Sequence, residues 1–260
     1  MKIGIIQGLE SSNISDYELK HFWQPCIDSV RDWAERRGYG YHLYRSPLLP
    51  KTQTALDVTW LGDSERTEIW FNKFAWMKDQ APNYDMLCWI DADIFVWGDP
   101  RDIFHHRLYH EEKFSVLYRS STILPLENSW KRLHLGMFWA SRALIAETAD
   151  WMNSMIFNPE QRSALFTTFL MCCQQLGIDF YDEIAFSVWY HENKDRCLLI
   201  KVESTSDDND WYVIPKKLGY TMHKDTFNHF TGGDKFRDKQ RFDAYRAYLA
   251  YDKGRNIWIK

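Results

Sequence analysis

Two spacings of apolar residues alternate along the first half of this chain: short continuous runs that suit buried strands, and repeats of three or four that suit one face of a helix. The run from Lys2 to Gln7 predicts a buried first strand, ending at Gly8 where the backbone can turn tightly or come close to a ligand. Ser15 and Glu18 form a capping-box pattern. Behind it Leu19, Phe22, Cys26, Val30 and Trp33 predict an amphipathic helix that runs to about Arg37 and stops at Gly38. Tyr39 to Tyr44 suits a second strand, and the aperiodic, proline-containing stretch from Ser46 to Asp63 a long loop or lid.

A helix is expected from about Ser64 to Gln80, closed by Pro82. Met86 to Ile90 is an uninterrupted apolar run, the pattern of a central strand covered on both faces. Further on come a strand at Phe114 to Tyr118, a loop to Arg132, and helices near Ser141 to Phe157, Pro159 to Gln175 and Asp182 to His191. Leu198 to Val202 reads as a late strand and Asp207 to Asp210 as a solvated acidic turn. Helix and strand patterns in alternation predict an α/β sandwich with a mostly parallel central sheet.

Composition narrows the class. At 260 residues the chain suits one large domain, or one with a small appendage. A formal charge of -4 gives no general field for nucleic acid, so a small molecule or a glycan is the expected partner. The 13 Trp serve either a core or platforms for sugar rings, with the core favoured for any single one. Five cysteines without a Cys-x-x-Cys spacing suggest neither disulfides nor a zinc site. With no signal-peptide-like or membrane-spanning run, a cytoplasmic enzyme is expected.

Candidate chemistry begins at Asp91-Ala92-Asp93, directly after the apolar run. On an extended backbone the two carboxylates point to the same side, where they repel each other and lose hydration. A bridging divalent cation relieves both, and the carboxyl ends of strands are where open α/β sheets bind ligands. A second element, His229-Phe230-Thr231-Gly232-Gly233-Asp234-Lys235, combines an imidazole, a glycine pair and a cation. It could complete a metal site and cradle a pyrophosphate. Asp91, Asp93 and His229 together suit manganese better than magnesium, which prefers oxygen ligands and stays the second choice. Lys73 has Ile69, Trp70, Trp76 and Met77 three or four residues away, which puts its ammonium on an apolar helix face in want of an anion. The alternatives are that it snorkels to solvent, or that Phe71 and Phe74 mark the buried side.

Asn72-Lys73-Phe74 ahead of Tyr84 to Asp99, with Trp89-Ile90-Asp91-Ala92-Asp93 inside, resembles the Lys-to-DxD block of GT-A glycosyltransferases. The resemblance is to the glycogenin and lipopolysaccharide galactosyltransferase group, and nearly as much to the xyloglucan xylosyltransferase and galactomannan galactosyltransferase group. His229-x-x-Gly232-x-x-Lys235 matches the first group's His-x-x-Gly-x-x-Lys element. Leu135-Gly136-Met137-Phe138 resembles their Asn-Ala-Gly-hydrophobic segment and Asp182-Glu183 their Asp-Gln pair. The chain departs from the pattern with His134 for Asn, Glu183 for Gln and Phe236 for Pro.

The resemblance implies a GT-A, Rossmann-like three-layer sandwich over residues 1–236, with 237–260 a helical tail of the same domain. It implies a metal-dependent transferase moving a sugar, with retention, from a nucleoside diphosphate (a UDP-sugar first) to a glycan, glycolipid or glycoprotein. Asp91, Asp93 and His229 would hold the cation; Gly232, Gly233 and Lys235 would serve the diphosphate; Gln7 and Gly8 would border the nucleoside. Lys73, Gly136 and Asp182 would face the donor, and Glu183 could act as nucleophile or stabilise an oxocarbenium ion. Two rivals stand beside this: a haloacid-dehalogenase-type phosphohydrolase with Asp91 as nucleophile, and a non-catalytic sugar-binding protein. The basic, aromatic stretch from Arg237 to Lys260 resembles tails that touch membranes, with a solvated helix as the plainer expectation.

Overall fold

In the computed structural model the described residues are 1–9, 14–49, 64–104, 110, 112–119, 132–176, 180, 182–201, 212–213, 225–230, 251–252 and 257–258. Their centre is a six-stranded sheet of order β2-β1-β3-β6-β5-β7. Its strands are β1 (Ile3–Gly8), β2 (Gly40–Tyr44), β3 (Met86–Ile90), β5 (Phe114–Arg119), β6 (Arg132–Ser141) and β7 (Cys197–Lys201). β1 lies parallel to β2 and β3, and β5 to β7, whereas β6 runs antiparallel to both β3 and β5. Five strands therefore share one direction and the inserted β6 opposes them, as the expected mostly parallel sheet allows.

Side chains alternate along these strands, so each face of the sheet gets its own core. On one side Ile3, Ile5, Met86, Cys88, Ile90, Met137 and Trp139 meet Val30, Trp33 and Ala34 of helix α2 (Gln24–Arg36). On the other, Ile6, Leu87, Trp89 and Phe138 pack beneath α3 (Ser64–Gln80), α4 (Arg142–Phe157), α5 (Ala164–Leu176) and α6 (Asp182–Glu192). These are the three layers. Trp33, Trp76, Trp89, Trp139 and Trp189 are all buried in them, which places these five with the core. All five cysteines are free.

The first helix begins where the capping box predicts. Ser15 Oγ accepts from the Glu18 amide and the Glu18 carboxylate from the Ser15 amide, opening α1 (Asp16–Glu18). A π-helical stretch, Leu19–Trp23, leads into α2. Pro25 lies in the first turn of α2, and a ring without an N–H is tolerated where the helix register is being reset. Gly38 closes the run at φ 70°.

Four points differ from expectation. The expected helix from Pro159 to Gln175 is a 3-10 turn, Pro159–Gln161, followed by α5; Ser163 Oγ accepts from the Phe166 amide and restarts the helix. The segment 132–141, to which the sequence pattern assigns no element between the loop ending at Arg132 and the helix near Ser141, is the long strand β6. A second sheet of order β4-β9-β8, made of β4 (Ile94–Trp97), β8 (Tyr212–Val213) and β9 (Thr226–His229), forms beside the first. Of the tail expected to be helical, the structure describes β10 (Tyr251–Asp252) antiparallel to β11 (Ile257–Trp258). The expected loop at Ser46 to Asp63 lies outside the described residues from residue 50 on, as do the acidic turn at 207–210, Gly232, Gly233 and Lys235. No helix among the described residues is long and apolar enough to cross a membrane.

Candidate active site

Asp91 leaves the carboxyl end of β3 in register with β6, its amide donating to the Gly136 carbonyl at 2.8 Å. Ile94 N–H then donates to the Asp91 carbonyl at 3.1 Å, so residues 91–94 make a tight turn into β4. The two acids meet through this turn, not through the strand alternation expected for an extended Asp-x-Asp. β4 pairs antiparallel with β9 in a register that sets Ile94 opposite His229. The Phe230 amide donates to the Asp93 carbonyl at 3.1 Å and fixes the end of that pair. A histidine distant in sequence is thereby delivered to the acids by backbone pairing.

His229 Nε2 lies 3.1 Å from Asp93 Oδ1 and 3.9 Å from Asp91 Oδ2. One ligand atom from each of the three residues falls within 4.8 Å of the others. Asp91 Oδ1 is already engaged by Trp89 Nε1–H at 2.6 Å and Lys73 Nζ at 3.4 Å, which turns Oδ2 toward His229. Burial raises the Asp91 carboxyl above its usual range and Asp93 adds to this, against the pull of Lys73 and His229. Two carboxylates with one imidazole, on a site that disfavours their charge, are a donor set that fits a divalent cation such as manganese.

Lys73 is buried, and the faces marked by Trp76 and Met77 and by Phe71 and Phe74 are buried with it. Its ammonium does not snorkel. It pairs with Asp182 Oδ2 at 2.5 Å, reaches Asp91 Oδ1 and donates to the Leu135 carbonyl at 3.3 Å. Burial works against its charge, yet Asp182 and Asp91 hold its pKa above the ordinary lysine value. Asp182 opens α6, where the helix dipole favours an acid. Burial nevertheless pushes its pKa up to about 6, with Lys73 opposing.

Gln7 is fully buried and both ends of its amide are occupied: Nε2 donates to the Asp91 carbonyl at 3.2 Å and Oε1 accepts from Tyr41 at 2.7 Å. Gly8 makes room for the Trp76 ring, since a Cβ there would lie 1.9 Å from it. Gly136 makes room for His229, whose Cε1 would lie 2.4 Å from an added Cβ. Glu183 Oε1 sits 3.0 Å from His134 Nδ1. His134 Nε2 in turn lies 2.9 Å from His229 Nδ1 and 2.8 Å from the Tyr212 hydroxyl.

The structure thus gathers Asp91, Asp93, His229, Lys73, Asp182, Glu183, Gly136 and Gln7 around the end of β3. Tyr212 and the indole of Trp89 belong to the same group and were not singled out from the sequence. The apolar run Trp211-Tyr212-Val213-Ile214 was the available signal for the first.

The sheet order, the antiparallel β6 and the helices on both faces give the chain the fold of the GT-A glycosyltransferases. Among solved structures it is similar to a glycosyltransferase involved in the glycosylation of the major capsid of PBCV-1. That likeness has a TM-score of 0.56 at 11% identity, over 93% of this chain and 100% of that one. The galactosyltransferase LgtC, solved with donor and acceptor sugar analogues, aligns at a TM-score of 0.47 and 9% identity over 96% of this chain and 97% of its own. GlyE of Streptococcus pneumoniae TIGR4 aligns at 0.45 and 10% identity, over 97% of this chain and 61% of its own. No protein-family model and no curated protein matches the chain in sequence.

Proposed function

We propose that this chain is a metal-dependent glycosyltransferase that moves a sugar from a nucleoside diphosphate, UDP first, to a hydroxyl of a glycan, glycolipid or glycoprotein, with retention. The observation that carries the reading is the convergence of Asp91, Asp93 and His229 at the carboxyl end of a central strand in this fold. When bound there, manganese supplies Lewis-acid stabilisation of the charge that grows on the departing diphosphate.

The chain's own residues prepare for that charge. Asp91 and Asp93 present carboxylate oxygens on one side of the turn and His229 presents Nε2 on the other. Lys73, fixed between Asp91 and Asp182, brings a permanent positive charge beside the same point. Gly232, Gly233 and Lys235 follow His229 directly in sequence, so they stand as the group that would line the diphosphate. Gln7 holds the Asp91 carbonyl and takes the role of a brace between β1 and the turn, with the nucleoside expected beyond it. Asp182 orients Lys73 toward the donor. Free cysteines suit a reducing, cytoplasmic setting, and contact with a membrane face is left to the stretch after Arg237.

The haloacid-dehalogenase reading needs Asp91 as a free nucleophile. Here one of its oxygens is held by an indole N–H and an ammonium, and the fold is that of another enzyme class. A screen of nucleotide-sugars for hydrolysis with and without manganese tests the proposal. Metal-dependent release of a nucleoside diphosphate from one donor supports it. Failure of every donor, or phosphate release from phosphomonoesters instead, overturns it.

A further inference from the structure

We infer that Glu183, His134 and Tyr212 are positioning residues that fix the tautomer and ring orientation of His229; this rests on the metal reading above. A histidine that binds a cation through Nε2 must carry its proton on Nδ1, and that proton needs an acceptor. Around His229 Nδ1 the structure sets the Tyr212 oxygen at 2.5 Å and His134 Nε2 at 2.9 Å. Tyr212 is also 2.8 Å from His134 Nε2. One assignment places every proton. His229 Nδ1–H donates to the Tyr212 oxygen, the Tyr212 hydroxyl donates to His134 Nε2, and His134 Nδ1–H donates to Glu183 Oε1 at 3.0 Å. With Glu183 charged, the direction of the whole chain is set at its far end, because a carboxylate without its proton can only accept.

Packing makes the arrangement rigid. His134, Tyr212 and His229 are all buried, and the two imidazoles stack with centroids 4.9 Å apart at 29°. Gly136 permits that approach: a Cβ there would also lie 3.0 Å from His134 Nε2. His134 and Glu183, which stand where the family pattern has Asn and Gln, are here each other's partner. A nucleophilic Glu183 and a positioning Glu183 make opposite forecasts, so the roles can be separated.

The test compares the wild type with Glu183→Gln, Glu183→Ala and Tyr212→Phe. Readouts are manganese affinity by calorimetry, without nucleotide, and the 15N shifts of labelled histidines in metal-free protein. Circular dichroism confirms folding. The positioning role predicts that Glu183→Ala weakens manganese binding ~10–100-fold and shifts the His229 signals away from the Nδ1–H form. Glu183→Gln can donate as well as accept toward His134, so it no longer fixes the direction of the chain and should fall between wild type and Glu183→Ala in manganese affinity and in the His229 shifts. Tyr212→Phe leaves His134 Nε2 to accept directly from His229 and should cost less than Glu183→Ala. Unchanged histidine shifts and affinity in Glu183→Ala overturn the inference. So does Glu183→Gln with wild-type affinity but abolished turnover, which returns Glu183 to the chemistry. A wild type that binds no manganese sinks the metal reading separately, since the histidine shifts still report the tautomer.

Discussion

Two groups of charged side chains meet at the end of β3 and the fold treats them oppositely. Lys73 and Asp182 are closed: their side chains are 8% and 6% exposed and they form an ion pair with each other. Asp91 and Asp93 are more open, at 28% and 14%, and face His229, while Lys73 Nζ, 3.4 Å from Asp91 Oδ1, links the two groups. The first group is an ion pair buried within the protein. In the second, two acids face one imidazole at a spacing that a divalent cation could span.

The comparison breaks most severely at the closed pair. Lys73→Met leaves Asp182 buried without its cation, and removing one partner of a buried pair costs ~3–5 kcal/mol. Chemical denaturation should show a loss of that size together with lost turnover. Retained stability would mean that Asp182 finds water or another donor.

Gly136→Ala sharpens the open group instead. Its Cβ would meet His229 2.4 Å away, so the ring must move or the strands part. Overpacking of this kind costs ~1–3 kcal/mol, and manganese affinity should fall by more than stability alone explains. Equal affinity in wild type and variant would show that His229 is not held by this contact.

The smallest effect is on pH. With its pKa raised from 3.8 to about 6, Asp182 binds more protons folded than unfolded. Its contribution to stability is therefore greatest below pH 3.8 and is lost as pH rises to about 6. Turnover runs the other way, since ionised Asp182 anchors Lys73 more strongly than Asp91 and the Leu135 carbonyl do alone, so kcat/KM should rise through an acid limb near pH 6. A flat profile across that range would detach Asp182 from the donor site.

How much of this was legible in the sequence follows from which contacts are local. The Ser15 cap, the three-or-four spacing of α2 and the apolar run of β3 are local patterns, and each lies where it was expected. The pairing of β4 with β9 is not, because Thr226–His229 carries no alternation of its own and takes its register from its neighbour. His229 could be named from its company in sequence, but its placement against Asp93 depends on that pairing. The antiparallel β6 was hidden because His134 and Gly136 interrupt its apolar pattern for reasons of packing at the site. Asp91 and Asp93 were recognised as partners for the wrong local reason, a strand where the chain makes a turn.

The most direct test of the account is a calorimetric titration of manganese into the wild type and Asp93→Asn, repeated with UDP present. The account predicts one site per chain in the wild type, tighter with UDP, and a loss in the variant at least as large as the ~10–100-fold that an outer partner of a metal ligand costs. Equal binding by the two proteins, or none by the wild type, would contradict it.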